Sequence, residues 1–429
     1  MKQTKGKVLK RSAVIIMAVM ALLAIPVIWY FSVDWVTLPE DAPSAQQLYR
    51  AEFQNPADEA FISLKEAQQL QKFPGLTVAI AYQGTLLWSG AVGYADVEAR
   101  TPATIDSQFR IGSTSKAVTA TAIARAVAAG KLDLDTPISE YHRALPNPKW
   151  AALTLRQLLS HTAGLPGYGE NTDLIGVWHT LIKQKHFPDV DDSLALFDQA
   201  ELQYPAGQNF LYSSFDVNLA SSVLQHATQQ PFLNYLNAAV AEPLQLKSLQ
   251  AADQPYAQQV KFYQQLSNKQ VKPHWPVNLS QKWAGGGLAA TSKDLAMLGM
   301  AWLNPEFIPH NIQQQFWTRQ LLSNGDVNPQ NYALGWRVSR RNFFYCDDKA
   351  LLSKELTWIH HGGVSDGAQS WLVVYPEYQL VLAMNTNTVK ENYCDFAGQA
   401  AAIVRPFMRQ IAPELFVNEG LRQRSDDLQ

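Results

Sequence analysis

Ser113 and Lys116 lie three residues apart in "FRIGSTSKAVTATAIARAVAAGKL", where a short turn runs into an alanine-rich helix. A serine hydroxyl is a poor nucleophile until a neighbouring group takes its proton. A lysine three residues further along a helix lies on the same face, within reach of that hydroxyl. The start of a helix also favours developing negative charge. The spacing suits nucleophilic catalysis, although a serine that only caps a helix fits the same stretch.

Further stretches follow in a fixed order: "LTLRQLLSHTAGLPGYG", "PAGQNFLYSSFDVNLASSVL", "KWAGGGLAATSKDLAML", "YALGW" and "HHGGVSDGAQSWLVVYPE". Together with the first stretch they resemble the penicillin-binding-protein-like serine hydrolases. This broad family includes class C β-lactamases, D-peptidases, esterases and the mitochondrial β-lactamase-like serine protease, whose branch the motifs resemble most. The resemblance covers most of residues 62–410. It implies a β-lactamase/transpeptidase-like fold and a hydrolase without metal or organic cofactor.

The resemblance implies a role for each residue that matches a family motif. Ser113 matches the nucleophile and Lys116 matches its proton-transfer partner. Tyr212, which opens "YSS", matches a tyrosine that moves protons together with the lysine. Without the family pattern, Tyr212 reads as a core aromatic residue between Phe210 and Phe215.

The third family element is Lys-Thr-Gly or His-x-Gly on an edge strand that faces the nucleophile. His360-His361-Gly362 matches the second form, so the resemblance implies that His360 points into the pocket. Gly362 would let substrate approach the backbone. The implied oxyanion hole consists of the backbone N–H groups of Ser113 and Gly363. A metal site at the tandem histidines is disfavoured, because adjacent strand residues face opposite sides.

Two positions depart from the family pattern. Ser214 stands where the tyrosine motif often has asparagine, which changes the hydrogen bonds available to substrate. His360 replaces a lysine and would be mostly neutral at pH 7, and Asp366 lies close by. Recognition of a substrate carboxylate is therefore expected to be weak. This favours a peptidase or esterase over a β-lactamase or D-alanyl-peptide carboxypeptidase.

Two other motifs are explained by structural roles. Ser160-His161 invites a Ser–His interpretation, but the resemblance makes it a structural turn beneath the site. The run Gly285–Gly287 lacks the strand, helix and lysine of a phosphate-binding loop, so we expect a tight turn at the pocket rim.

The elements that must position these residues follow from hydrophobic periodicity. Apolar residues surround the helix after Ser113, which predicts a buried helix ended by Gly130. Residues 62–73 predict a helix, 76–82 and 86–95 a strand hairpin, and 190–300 mostly helix. From about residue 332, short β-branched or aromatic runs predict strands, and residues 392–410 a last helix.

These elements predict an α/β (α+β) fold with an antiparallel sheet built from N- and C-terminal strands and flanked by helices. The hydrolase domain is predicted over 61–415, with the sheet from about 62–112 and 330–410. A mostly helical subdomain, about 113–329, is inserted into it. Residues 34–60 are predicted as a linker and 416–429 as a polar tail.

The N-terminus has a character of its own. A basic stretch, 1–12, precedes an uncharged run, 13–33, which at 1.5 Å per residue is long enough to cross a bilayer. Because positive flanks stay in the cytoplasm, we expect a single-pass anchor in a bacterial inner membrane with the catalytic domain outside the cytoplasm. The alternative is a cleaved signal peptide, which would need small residues before the cleavage point.

Composition limits the remaining options. A net charge of −2 and 47% hydrophobic residues describe an ordinary globular protein, and nucleic acid is an unexpected partner. Cys346 and Cys394 are the two cysteines of the chain, and they either pair in an oxidising compartment or remain buried thiols.

Two hypotheses of function remain open. One is a membrane-anchored serine hydrolase that acts on a small-molecule or peptide substrate. The other is a catalytically silent tethered binding module on the same scaffold. The sequence leaves the oligomeric state open.

Overall fold

A computed structural model describes residues 27–266, 270–348 and 351–417, together with residues 14, 17, 18, 20, 21, 24 and 25. The predicted basic N-terminus, 1–12, lies outside the described residues, as do parts of the predicted anchor, 13–33, and of the tail, 416–429. Within the described residues, no helix combines the length and the apolar character needed to cross a membrane.

The strands are β1 (Val36–Thr37), β2 (Ser44–Leu48), β3 (Gly75–Tyr82), β4 (Thr85–Asp96), β5 (Thr101–Pro102), β6 (Phe109–Arg110), β7 (Gln250–Ala251), β8 (Tyr263–Gln265), β9 (Gln270–Pro273), β10 (Leu288–Ala290), β11 (Arg337–Arg341), β12 (Leu356–Ser365), β13 (Ala368–Tyr375) and β14 (Leu380–Thr386). The α-helices are α1 (Gln54–Gln71), α2 (Ser115–Ala128), α3 (Leu155–Leu159), α4 (Leu174–Ile182), α5 (Ser214–Thr228), α6 (Phe232–Leu236), α7 (Trp283–Gly286), α8 (Ser292–Ala301), α9 (His310–Trp317), α10 (Cys394–Ala397) and α11 (Gln399–Ile411).

One antiparallel sheet joins the two ends of the chain. Its strand order is β11-β12-β13-β14-β3-β4-β2, with β5 paired to β4. The junction is the pairing of β14 with β3, which aligns Leu380 with Tyr82 and Thr386 with Leu76. The predicted sheet of N- and C-terminal strands is therefore confirmed, and the helices lie on both of its faces.

Each face of the sheet covers a separate apolar core. On one face, α1 and α11 pack together over residues such as Leu64, Trp88 and Phe407. On the other face, the inserted subdomain packs around α2, whose residues 115–124 are all buried. Gly130 follows α2 with a φ of +68°, a conformation suited to glycine, as the sequence predicts.

Some predicted boundaries differ from the structure. The predicted linker, 34–60, contains β2, which pairs with β4 at the edge of the sheet, and the first turns of α1. The predicted helical stretch, 190–300, also contains β7, β8, β9 and β10, which are two to four residues long. Strands this short lack the alternation that distinguishes a strand from a loop, so periodicity cannot find them.

Cys346 and Cys394 form a disulfide, which decides between the two alternatives that the sequence left open. The bond joins the loop after β11 to the start of α10. Tyr345 and Tyr393 directly precede the two cysteines. The covalent link therefore ties two segments that each carry a tyrosine.

Replacing both cysteines by serine should lower the free energy of unfolding by up to about 4 kcal/mol, because the disulfide closes a long loop in the unfolded chain. Urea unfolding of the wild type and the double variant measures the difference. Wild type in reductant serves as the matched control and should behave like the double variant. Equal unfolding midpoints for oxidised wild type and the variant would contradict the prediction.

Candidate active site

Ser113 lies in a single 3₁₀ turn, Gly112–Thr114, that leads directly into α2. The turn passes so close to β12 that neither backbone leaves room for a side chain. A Cβ on Gly112 would lie 2.5 Å from the Val364 carbonyl oxygen, and one on Gly363 would lie 1.9 Å from that of Ile111. Gly112 also has a φ of +51°. Two glycines therefore let β12 lie directly against the turn that carries Ser113.

Lys116 is fully buried, one helical turn after Ser113. Its Nζ donates to Ser113 Oγ at 3.2 Å, to Ser214 Oγ at 3.0 Å and to the Gly285 carbonyl at 2.5 Å. An ammonium group carries three donors, so each of them has an acceptor. The sequence missed the part played by Gly285, because a backbone carbonyl leaves no signal in residue types.

Tyr212 and Ser214 reach this lysine from the start of α5. Ser213 is the N-cap of that helix, since its Oγ accepts from the Phe215 N–H at 3.1 Å. The Tyr212 ring centre lies 4.8 Å from Lys116 Nζ, and the ring lines the same cavity as Ser113. In the "YSS" motif, Tyr212 and Ser214 flank the N-cap residue Ser213. The Tyr212 ring and the Ser214 hydroxyl both lie beside Lys116.

The two histidines of β12 face opposite sides of the sheet. His360 lines the cavity, as the sequence predicts, but its neighbours are Trp371 and Tyr345. His361 turns to the other side, where its Nε2 lies 2.7 Å from the Tyr332 hydroxyl and its ring 6.4 Å from that of Tyr212. The pattern His-x-Gly also fits His361-Gly362-Gly363, and in that register the histidine lies beside the catalytic candidates.

Both histidines are poor sites for a proton. Burial lowers the pKa of His360 well below its usual value, and the charge of Arg337 adds to the effect. Burial likewise lowers the pKa of His361, with further contributions from Arg337 and Lys116. The permanent positive charge of the site therefore comes from residues other than these histidines.

The backbone N–H groups of Gly363 and Val364 on β12 face in different directions. The Tyr393 hydroxyl donates to the Ser370 carbonyl at 2.5 Å, and the backbone N–H of Gly363 faces the same hydroxyl oxygen. The backbone N–H of Gly363, which is paired with Ser370, therefore points towards β13. Backbone groups alternate in direction along an antiparallel strand, so the next N–H, that of Val364, points towards the nucleophile turn. A Cβ on Gly112 would lie 2.7 Å from this nitrogen.

A cavity of about 640 Å³ opens beside Ser113. Arg337 on β11 lines it, with its guanidinium 5.3 Å from the Tyr212 ring centre and 5.0 Å from that of Tyr332. Among the described residues that line the cavity there is no carboxylate. The full set is Ser113, Tyr212, Pro329, Gln330, Asn331, Arg337, Ser339, Tyr345, His360, Gly362, Val364, Trp371 and Tyr393.

A buried histidine–aspartate pair packs against Tyr212. His161 Nδ1 lies 2.7 Å from an Asp216 carboxyl oxygen, and the His161 ring packs 4.5 Å from that of Tyr212. Burial lowers the pKa of His161 and raises that of Asp216, which favours the neutral form of both groups. The predicted turn at Ser160-His161 is thus a packing support for Tyr212.

One cluster of potential metal ligands occurs among the described residues, within the inserted subdomain. It consists of His142, Asp191 and His226, whose ligand atoms lie within 4.8 Å of one another. The two imidazoles are stacked, with ring centres 3.7 Å apart and planes 19° from parallel. Nearly parallel rings do not direct their in-plane lone pairs at one ion, so the cluster does not fit a metal in this arrangement.

Comparisons with known sequences agree with this geometry. The Beta-lactamase family model matches residues 64–403. The human mitochondrial serine beta-lactamase-like protein LACTB is 26% identical and is similar over 71% of this chain and 69% of its own length. Esterase EstB of Burkholderia gladioli is 31% identical, over 42% of this chain and 48% of its own.

Solved structures share the fold. The penicillin-binding protein of Bacillus halodurans has a TM-score of 0.64 at 24% identity, over 79% of this chain and 98% of its own. The D-amino acid amidase of Ochrobactrum anthropi SV3 has a TM-score of 0.66 at 20% identity, over 83% of this chain and 99% of its own. With the family model spanning most of the chain, the protein belongs to the beta-lactamase family and is a serine hydrolase.

Proposed function

We propose that Ser113 is the nucleophile of this hydrolase and that Lys116 and Tyr212 move its protons. The observation that carries the proposal is the position of Lys116 Nζ, which contacts the hydroxyls of both Ser113 and Ser214 beneath the Tyr212 ring. Three segments that are distant in sequence meet at one buried amine. A serine that merely caps a helix needs no such convergence.

The proposed reaction uses an acyl-enzyme. Ser113 Oγ attacks the carbonyl carbon of an ester or amide, and its proton passes to the neutral form of Lys116 across the 3.2 Å contact. Tyr212 gives a proton to the departing alcohol or amine and recovers one from Lys116. A water molecule then attacks the acyl carbon and gives a proton to the same groups, which return it to Ser113 Oγ as the carboxylic acid leaves.

The negative charge that develops on the carbonyl oxygen needs donors that are already in place. We assign them to the backbone N–H groups of Ser113 and Val364, because β12 lies against the nucleophile turn at Gly112. Donors of this kind lower the barrier by about 3 kcal/mol each. The predicted role of Gly363 is therefore reassigned to the next residue.

The substrate class follows from the lining of the cavity. Aromatic side chains and small polar groups suit an ester or a peptide, which agrees with the proposed peptidase or esterase activity. Arg337 supports a second candidate, a substrate with a carboxylate, as in peptides cleaved near their C-terminus. The Arg337 guanidinium supplies the fixed charge that neutral His360 lacks.

We further propose that residues 13–33 anchor the chain in a bacterial inner membrane, with the hydrolase domain outside the cytoplasm. The uncharged run and its basic flank support this placement. The Cys346–Cys394 disulfide supports it as well, because disulfides persist in oxidising compartments.

Ser113→Ala should abolish labelling by a fluorophosphonate probe and hydrolysis of p-nitrophenyl esters, because the attacking oxygen is gone. Gel fluorescence and release of p-nitrophenolate measure the two effects. Ser323→Ala is the matched control, since Ser323 is exposed and lies outside the cavity lining. If Ser113→Ala is labelled as strongly as wild type, the nucleophile lies elsewhere.

Arg337→Gln should raise KM about 10- to 100-fold for a substrate with a carboxylate, because a hydrogen bond to a charged group contributes about 1.5–3 kcal/mol. Suitable substrates are 3-acetoxybenzoate and its neutral counterpart, 3-acetoxybenzamide. The neutral compound should be hydrolysed with nearly unchanged KM.

Arg340→Gln provides the control for this experiment. Arg340 lies on the same strand, is 70% exposed and pairs with Glu355 outside the cavity lining. It should leave both substrates unaffected. An equal loss for both substrates with Arg337→Gln would contradict carboxylate recognition and would indicate that Arg337 only supports Tyr212.

A further inference from the structure

The helix α4 carries its apolar side chains on the outside of the domain. Leu174 is 84% exposed, Ile175 58% and Trp178 50%, and Val177 is exposed beside them. Scattered apolar residues are normal on a surface, but a contiguous group of large ones marks a contact with another apolar phase. We call these four residues the α4 apolar face.

Polar and backbone contacts fix this helix with its apolar face outward. Asp173 caps its start by accepting from the Ile175 N–H at 2.9 Å. Gly176 lies against the domain, where a Cβ would come within 2.0 Å of the Leu196 carbonyl oxygen. A residue without a side chain is therefore turned inward. The outward direction of the leucine, isoleucine and tryptophan is built into the helix.

The far end of α4 lies next to the end of the predicted anchor. The Asn278 N–H donates to the Lys183 carbonyl at 2.7 Å, and the Gln184 side chain hydrogen-bonds to the Pro276 carbonyl. Trp275, the preceding residue, packs edge-on against Trp29 with ring centres 5.0 Å apart. Trp29 belongs to the helical residues 27–32, which are part of the predicted anchor. A bilayer that contains this anchor would therefore begin close to α4.

The chemistry of this region fits a lipid surface better than a protein partner. Residues 174–186 contain no acidic side chain and include two lysines, of which Lys185 is exposed. Tryptophan is enriched where protein meets the headgroup region, and lysine is attracted by anionic lipid. Helices that bind in the plane of a membrane bury their apolar face at the acyl boundary.

We propose that the α4 apolar face lies in the surface of the bilayer in which the N-terminal segment is anchored. This proposal depends on the anchor put forward under the proposed function. It adds a second attachment, which fixes the orientation of the domain on the membrane.

The second attachment places one side of the active site near lipid. Lys183, which follows α4, pairs with Asp366 at 2.6 Å in the turn between β12 and β13. Before α4, Tyr168 is 40% exposed, and its hydroxyl interacts with Ser214 beside Lys116. Both ends of the helix are thus connected to the site. Substrates that partition into the bilayer surface, such as amphiphilic esters, would meet Ser113 from this side.

The test uses the full chain with Leu174→Cys, labelled with the polarity-sensitive dye NBD. The introduced thiol is the target of the label because both native cysteines are in the disulfide. The labelled chain is reconstituted into vesicles of phosphatidylglycerol and phosphatidylcholine, with and without doxyl-labelled lipid. We expect a blue-shifted emission that the doxyl lipid quenches.

Leu321→Cys is the matched control, since Leu321 is 58% exposed and belongs to the segment after α9. Its label should keep an aqueous spectrum without quenching. If the label at 174 is quenched no more than the label at 321, the proposal is overturned. A blue shift without lipid quenching also overturns it, because a second copy or the N-terminal segment would then cover the face. Flotation of the vesicles reports separately on the anchor.

Discussion

The buried amine of Lys116 is the group on which the arrangement of the site depends. A lysine taken completely out of water is costly unless each of its donors finds an acceptor. Here the acceptors come from the nucleophile turn, the start of α5 and the carbonyl of Gly285. Because Lys116 and Gly285 are separated by 169 residues, satisfying one side chain requires distant segments of the inserted subdomain to pack together.

On the opposite side of the site, glycines allow two backbone segments to come into contact. Gly112 and Gly363 allow the edge strand β12 and the turn of Ser113 to approach to backbone contact. That approach brings a backbone N–H into line with the nucleophile without the use of any functional side chain. In the proposed mechanism, side chains on the α5 side transfer protons and backbone groups on the β12 side stabilise charge.

The sequence predicted the side chains of the site better than its backbone. Ser113, Lys116, Tyr212 and Ser214 were found from motifs, and the structure brings all four together. Their roles remain proposals. The Gly285 carbonyl and the Val364 N–H could not be found in this way, because every residue has these groups. The position of Arg337 depends on its alignment with His360 across two strands, and strand register is not readable from composition.

The same division applies to the fold. Long periodic elements such as β3, β4 and α2 were predicted close to their observed bounds. The short strands β7 to β10 and the edge strand β2 were not, because pairing with distant residues defines them more than their own sequence does. Elements held by tertiary contacts are the ones that a local pattern misses.

The disulfide has a consequence for the order in which the protein becomes complete. Its two cysteines directly follow Tyr345 and Tyr393, and both tyrosines form part of the cavity wall. Lys116 and its partners need no covalent bond to assemble, whereas this wall is tied only after oxidation. A newly made chain in reducing surroundings would therefore carry its reactive serine before its binding wall is secured. For the proposed location outside the cytoplasm, oxidation would follow export and would secure this wall as a late step of maturation.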